Sequence, residues 1–229
     1  QQRTFISHAS HELRTPLTAL KTELQLSLRR VLTVDQYQQI LTNLLTDTDR
    51  IIDLTNSLLL LARSLDGPTQ PFTASVQIDD VVFAARDELL SAWPAYRVDV
   101  TFTHQSELDE HPQLPGDEAL LRRMVLNLLD NACKYSVDHQ ASVAIDTDTY
   151  YCRIHVSDRG IGIPAHELAH IFDPFYRADN AKPHHGFGLG LSICRRIAER
   201  HQGWIEVTSQ PGSGSTFSVI LPLEKPSIS

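Results

Sequence analysis

Apolar residues in the first sixty-odd positions recur with helical spacing. Ile6, Leu13, Leu17, Leu20, Leu24, Leu28 and Val31 step by three, four or seven. Tyr37, Leu41, Leu44, Thr48, Ile51, Thr55, Leu58, Ala62 and Leu65 alternate between four and three. Each set marks one stripe of an α-helix, and the alternation is heptad-like. Between them, Thr33 and Gln36 fit a reciprocal capping box at the start of the second helix. No Gly precedes Gly67, and Pro16 is the only Pro before Pro68. Such a breaker-free stretch is what long helices require. The short connection predicts an antiparallel hairpin. One hairpin cannot cover its own apolar stripe in water, so pairing with a second copy into a four-helix bundle is expected. Packing of the hairpin on the rest of its own chain is the alternative.

Past residue 71 the period changes. Alternating positions predict strands at 97–103, 142–146, 152–156, 204–208 and 216–221, and helical spacing covers 78–92, 117–135 and 189–201. Gly212-Ser213-Gly214-Ser215 reads as a hairpin turn before the last strand. The expected class is α+β, with helices on one face of a mixed sheet. Leu65-Asp66-Gly67-Pro68-Thr69-Gln70-Pro71 is the natural joint. The divisions that follow are a hairpin over 1–66, a linker over 67–71, a second domain over 72–225 and a tail over 226–229.

Charge sharpens that division. The 229 residues carry 20 Lys and Arg against 28 Asp and Glu, for a net of −8. The hairpin side, residues 1–65, holds 7 basic and 6 acidic side chains, and the remainder holds 13 and 22. A near-neutral hairpin therefore precedes a domain of net −9. That balance argues against bulk binding of nucleic acid or anionic membrane, which reward Lys and Arg. Cys133, Cys152 and Cys194 are too few and too scattered for a disulfide framework or a metal motif, so a reducing compartment is expected. The run Leu58-Leu59-Leu60-Leu61-Ala62 is far short of the ~20 residues that span a bilayer. Gln1-Gln2-Arg3 opens no signal-peptide pattern, and the expectation is a soluble intracellular piece of a longer protein.

Four segments carry candidate chemistry. In Ser10-His11-Glu12-Leu13-Arg14-Thr15-Pro16-Leu17, His11 lies off the apolar stripe, Glu12 follows it, and Thr15 sits one turn on along the same face. A neutral imidazole oriented by a carboxylate that takes up its proton is a competent nucleophile. Pro16 removes one helix hydrogen bond and should kink the helix there. In Asn127-Leu128-Leu129-Asp130-Asn131-Ala132-Cys133-Lys134-Tyr135, the spacing aligns Asn127, Asn131 and Lys134 on one stripe. Amide oxygens can join a hydrated Mg²⁺ shell, and Lys can meet phosphate oxygens. A plain solvated face is the alternative. Asp158-Arg159-Gly160-Ile161-Gly162-Ile163-Pro164 follows a strand, where an Asp could accept from an exocyclic amino group, or could simply sit in a turn. Gly186-Phe187-Gly188-Leu189-Gly190-Leu191 opens a helix with free amides for phosphate, without the spacing of a dinucleotide fingerprint or the ending of a P-loop. Between the two Gly motifs, Phe172-Asp173-Pro174-Phe175-Tyr176 precedes an aperiodic polar stretch, 177–185, that reads as a lid anchored by aromatics.

In this order and spacing the motifs resemble those of the sensor histidine kinases of two-component signalling. Residues 10–17 are similar to the family's H box, 127–135 to its N box, 158–162 to its G1 box, 172–176 to its F box and 186–191 to its G2 box. The resemblance covers nearly the whole chain. It implies a dimerising phosphoacceptor hairpin followed by an α/β-sandwich ATP-binding domain of the gyrase-type ATPase and histidine kinase kind. By that resemblance His11 would accept the γ-phosphoryl group of ATP, Glu12 would assist, and Thr15 would help place the water that dephosphorylates a response regulator. Asn127 would ligate Mg²⁺, Asn131 and Lys134 would lie near the phosphates, and Tyr135 near the nucleotide. Asp158 would bind the adenine amino group, supported by Gly160 and Gly162, with Thr216 completing that end. Gly186, Gly188, Gly190 and Leu191 would shape the lid hinge and phosphate contacts, with Phe175 at the lid's base. The implied partners are a second copy of the chain and the receiver domain of a response regulator, with no nucleic acid. The implied setting is the cytoplasmic portion of a bacterial inner-membrane sensor, with any membrane contact made through segments preceding Gln1.

One residue departs from the pattern. His8 stands where the family has Asp or a similar polar residue, one turn before His11. It reads as a bystander, with a metal co-ligand or a second acceptor as alternatives; His184 and His185 read as solvated lid residues. Two other functions use the same motifs. A gyrase-like hydrolase needs a carboxylate four residues before Asn127, where this chain has Arg123. A non-catalytic dimeric scaffold would not need Glu12.

Overall fold

In a computed structural model the chain separates into two compact units, Gln1–Asp66 and Gly67–Ser229. The structure describes residues 2–29, 31–63, 72–104, 113–182 and 186–223. The linker at 67–71, the tail at 226–229, Leu65, His184 and His185 lie outside the described residues.

The first unit is a pair of long helices, α1 (Gln2–Ser27) and α2 (Val34–Arg63). The reciprocal cap is formed: Thr33 N–H donates to Gln36 Oε1 at 3.0 Å, and Gln36 N–H to Thr33 Oγ1 at 3.3 Å. α1 continues through Pro16, which withholds one amide from the ladder without ending the helix. The expected stripes are only partly the buried ones. On α2, Leu44, Leu54 and Leu61 are buried, whereas Tyr37 and Leu41 stay exposed. A two-helix contact covers only a narrow strip of each cylinder, so a 4-3 pattern broad enough for a bundle leaves part of its apolar surface outside. Leu45, Ile52 and Leu59, spaced by seven, form a further exposed line on α2, and Leu17 and Leu24 do the same on α1.

The second unit contains β1 (Ser75–Gln77), α3 (Ile78–Ala92), β2 (Arg97–His104), β3 (Gln113–Pro115), α4 (Glu118–Tyr135), β4 (Ser136–Thr147), β5 (Tyr151–Gly160), α5 (Gly190–Arg200), β6 (Trp204–Gln210) and β7 (Gly214–Pro222). Five strands form a mixed sheet in the order β2-β4-β5-β7-β6, parallel only between β2 and β4. β1 and β3 pair as a separate antiparallel ribbon, which the sequence pattern did not reveal. Three residues per strand are too few to display alternation. One sheet face carries Val143, Ile145, Cys152, Ile154, Val156, Phe217, Val219 and Leu221, all buried. Leu121, Met124, Val125, Leu128 and Leu129 of α4, Ile78, Val81, Val82 and Ala85 of α3, and Ile193 and Ile197 of α5 complete the core. All three Cys are free and buried, and burial pushes each thiol up to about 12. No helix among the described residues is long and apolar enough to cross a membrane.

Candidate functional site

In the hairpin, His11 and Thr15 are exposed and Glu12 is half-buried on the rigid middle of α1. Thr15 Oγ1 donates to the His11 carbonyl at 3.2 Å, which ties its side chain to the turn that carries His11. His8 is exposed one turn earlier. No group of three or more His, Cys, Asp or Glu able to hold a metal occurs among the described residues.

In the second unit the candidate residues converge around the C-terminal half of α4. Asp117 caps α4, its Oδ1 accepting from Leu120 N–H at 3.1 Å. The core-facing stripe of the helix then leaves Asn127, Asn131, Lys134 and Tyr135 half-buried on its other side. A Cβ built on Gly190, at the start of α5, would lie 3.8 Å from Asn131 Nδ2 and 4.0 Å from Asn127 Cγ. One built on Gly186 would lie 3.3 Å from Lys134 Nζ. The Gly-rich segment therefore runs directly along the amide–amine stripe, bare backbone against polar side chains. Leu191 is half-buried in the first turn of α5. Asn127 Nδ2 is buried with no hydrogen-bond partner of normal geometry among the described residues. Its amide acts on the Cys194 thiol in the direction opposite to burial. Such a buried amide invites a ligand.

Electrostatics make this a positive spot in an acidic unit. Burial lowers the Lys134 pKa, Asp130 one turn earlier opposes that shift, and Arg177 adds to it. Lys134 Nζ lies 5.2 Å over the Tyr135 ring. Burial raises the Tyr135 pKa while Arg177 pulls it down. Arg177 thus belongs to the same neighbourhood, although its position in the aperiodic segment gave it no periodic signal. Arg177 Nη2 also donates to the carbonyls of Ala181 (2.7 Å) and Lys182 (3.0 Å), which orders the short turn Asp179–Ala181 of the lid segment.

The G1 and F segments pack on this cleft from two sides. Asp158, two residues before the end of β5, is half-buried, and burial raises its pKa while the amides of Gly160 and Ser215 pull it back. Gly160 N–H donates to Asp158 Oδ1 at 2.8 Å. A side chain at Gly160 would overlap the Tyr135 carbonyl, so only Gly lets α4 end directly against this strand. The Gly162 carbonyl accepts from Asn180 Nδ2 at 2.8 Å, which joins G1 to the lid. Phe175 N–H donates to the Gly188 carbonyl at 2.9 Å, so the aromatic anchor is fixed to the Gly-rich segment. Gly188 has φ +71 and a Cβ there would lie 2.6 Å from the Tyr176 carbonyl, which excludes other residues.

Thr216 does not join this group. Along β7, Ser215, Phe217, Val219 and Leu221 face the helices, and Thr216 faces the other way, its hydroxyl 2.8 Å from that of Ser157. The alternation of a strand puts Ser215 on Asp158's side instead. A one-residue offset was enough to assign the wrong face.

Comparison with known proteins agrees with this geometry. The family "Histidine kinase-, DNA gyrase B-, and HSP90-like ATPase" matches residues 116–225, and "His Kinase A (phospho-acceptor) domain" matches residues 1–67. A phosphoacceptor hairpin joined to an ATP-binding module of this type defines a class of signalling proteins. The chain belongs to the two-component sensor histidine kinases, a family of enzymes. It is 33% identical over 227 residues to the phosphate regulon sensor protein PhoR of Pseudomonas aeruginosa, covering 95% of this chain and 49% of that protein. It is 30% identical over 224 residues to the sensor-like histidine kinase SenX3 of Mycolicibacterium smegmatis, covering 96% and 57%. The chain thus spans about half the length of these curated relatives. Among solved structures, the Acinetobacter baumannii histidine kinase AdeS matches with a TM-score of 0.71 at 22% identity, over 93% of this chain and 98% of that one. The mycobacterial sensor histidine kinase MprB matches with a TM-score of 0.58 at 29% identity, over 66% and 98%.

Proposed function

We propose that this chain transfers the γ-phosphoryl group of ATP to His11 and then passes it to an Asp of a response regulator's receiver domain. The carrying observation is the cleft in which Asn127 and Asn131 face Gly190, Lys134 faces Gly186, and Asp158 lies at the strand end beside Gly160. In this reading Asp158 accepts from the adenine amino group, with Ser215 on its side of the sheet. Lys134, Arg177 and the free amides at the start of α5 meet the phosphates. Tyr135, Phe175 and Leu191 border the nucleotide, and Gly162 and Gly188 let the backbone approach it.

The donor chemistry also fits Mg²⁺: the Asn127 side chain offers an amide oxygen, the ligand type Mg²⁺ favours, while its orphaned Nδ2 is left to donate to a bound group. Asn127 would hold the ion, whose charge offsets that of the phosphates when bound. On α1, the neutral His11 ring supplies the lone pair that forms the N–P bond as the bond to the ADP oxygen breaks, and Glu12 takes up the ring proton. Thr15 serves the reverse traffic by orienting the water that hydrolyses the regulator's acyl phosphate. The work unit would be a dimer through the hairpin, supported by its exposed apolar lines. Membrane attachment would come from segments preceding Gln1. The corresponding domain limits are 1–66, 67–71, 72–225 and 226–229.

The test is labelling from γ-labelled ATP. His11→Gln should abolish the acid-labile label while nucleotide binding persists. Full labelling of that variant would redirect the assignment to His8, and steady phosphate release with no labelled protein would favour a simple hydrolase.

A further inference from the structure

Far from the cleft, at the other end of α4 and α5, one histidine joins three parts of the ATP-binding unit. His201 follows the last residue of α5 and is only 4% exposed. Its Nδ1 lies 2.7 Å from the Ile197 carbonyl, and its Nε2 lies 3.0 Å from the Asp117 amide nitrogen. A carbonyl can only accept and an amide N–H can only donate. The ring must therefore be neutral, with its proton on Nδ1 and the Nε2 lone pair turned to Asp117. Asp117 is the cap of α4, so the imidazole fastens the start of α4 to the end of α5. The Phe72 ring stacks on it at 4.4 Å and 17°, and Arg200 Cζ lies 5.0 Å over Phe72. Gly116 leaves the ring its space: a Cβ there would lie 3.0 Å from His201 Cδ2 and 2.9 Å from Leu121 Cδ1.

The two helices run from this joint to the cleft. Asn127 is ten residues beyond Asp117, roughly 15 Å along the helix. Halfway, Cys194 Sγ lies 3.5 Å from the Met124 carbonyl. At the far end the amides of Asn127 and Asn131 stand opposite Gly190, where a Cβ would lie at contact distance, 4.0 and 3.8 Å, from them. A shift at the joint is therefore a shift at the cleft, because packed helices move as rigid bodies.

We propose that His201 is a positioning residue for nucleotide binding, which holds α4 and α5 in the register that sets Asn127 and Asn131 opposite Gly190 and does so only while its ring is neutral. A second proton, on Nε2, would set donor against donor at the Asp117 amide. The charged groups facing the ring pull in opposite directions: Asp117 favours the proton, and Arg200 opposes it. Burial is the largest influence and lowers the pKa. Nucleotide binding and His201 protonation then oppose each other, and by linkage each weakens the other equally. This rests on reading the cleft as the nucleotide site.

The experiment is calorimetric titration of the whole chain with Mg·ADP between about pH 7.5 and about pH 5.5, spanning the ordinary His range, with folded fractions checked by circular dichroism. His201→Gln keeps an acceptor for the Asp117 amide and cannot be protonated. As the pH falls through this range the wild type should lose affinity relative to His201→Gln. The gap approaches about tenfold for each unit by which ADP lowers the ring's midpoint, once the pH is below both the free and the bound values. Gly116→Ala, which pushes the ring aside, should weaken ADP about tenfold even at the higher pH. Parallel pH curves for the wild type and His201→Gln, or an unchanged Gly116→Ala, would overturn the proposal. If His201→Gln does not fold, the wild-type ring-proton titration decides: ADP should lower the His201 midpoint, and an unmoved midpoint refutes the coupling. Asp158→Asn separates the two ideas, since undiminished ADP binding by that variant refutes the nucleotide site itself.

Discussion

The hairpin and the ATP-binding unit solve the burial problem differently. The hairpin buries three apolar side chains of its own among the described residues, Leu44, Leu54 and Leu61, and leaves eleven large ones exposed. The ATP-binding unit leaves four exposed, Trp93, Val137, Tyr150 and Trp204, and closes a continuous core between one sheet face and three helices. An isolated pair of helices has no third element to cover its outer stripes, whereas a sheet with helices on one face does. The second unit can close its core alone, and under the proposed pairing the first would complete its burial with a second copy.

That contrast can be broken experimentally. The largest effect should come from replacing Leu45, Ile52 and Leu59 together by Gln, which removes the seven-spaced apolar line on α2. Sedimentation should then report a monomer in place of a dimer, with the thermal transition of the ATP-binding unit unmoved; a persisting dimer would refute the assignment of that line. Next in size, Leu128→Ala opens a cavity in the second unit and should cost about 2–5 kcal/mol there. Denaturant unfolding followed at Trp93 and Trp204, both in this unit, should show it, while the hairpin's helicity stays constant. A smaller change is expected for Thr33→Ala, about 1 kcal/mol from the lost cap, confined to the hairpin and visible in its helical signal on dilution. The most graded effect is that of pH. The His201 pKa is held below its ordinary 6.5 by burial, so on acidification the unfolded chain takes the proton first. The stability this residue contributes is complete above that value and drains away as pH falls below it toward the folded pKa. Thermal unfolding of the wild type should thus be more acid-sensitive than that of His201→Gln, and equal slopes would show that the ring is not buried neutral.

The hairpin's helices, their cap and the break between the units were legible because they depend on local spacing. Thr33 and Gln36 are three residues apart, and both of their hydrogen bonds are present. The three core helices of the second unit and the five strands of its sheet were also legible, since each is long enough to show its period. The ribbon of β1 and β3 was not, being three residues a strand and pairing residues remote in sequence, Ser75 with Pro115 and Gln77 with Gln113. In the candidate site, the motif residues on α4 and at Gly186, Gly188 and Gly190 could be nominated by type and order, and the structure sets the α4 residues beside Gly186 and Gly190. Arg177 was missed because its contribution comes from where the lid segment folds back, and Ser215 because a face is fixed by register and not by composition.

What the sequence alone determined is periodic or contiguous: two amphipathic helices, a change of period near residue 71, the division of charge, and the order of motifs that places the chain among the histidine kinases. Those features follow from bonded spacing of 3.6 or 2 residues per repeat. Only the tertiary structure decided which stripe of the hairpin is covered, that Thr216 faces away from Asp158, and that Lys134 lies beside Gly186 within electrostatic reach of Arg177. It alone brought His201 against Asp117 and Phe72. Each of these is a contact between residues remote in sequence, set by how helices and strands pack, and local patterning holds no record of it.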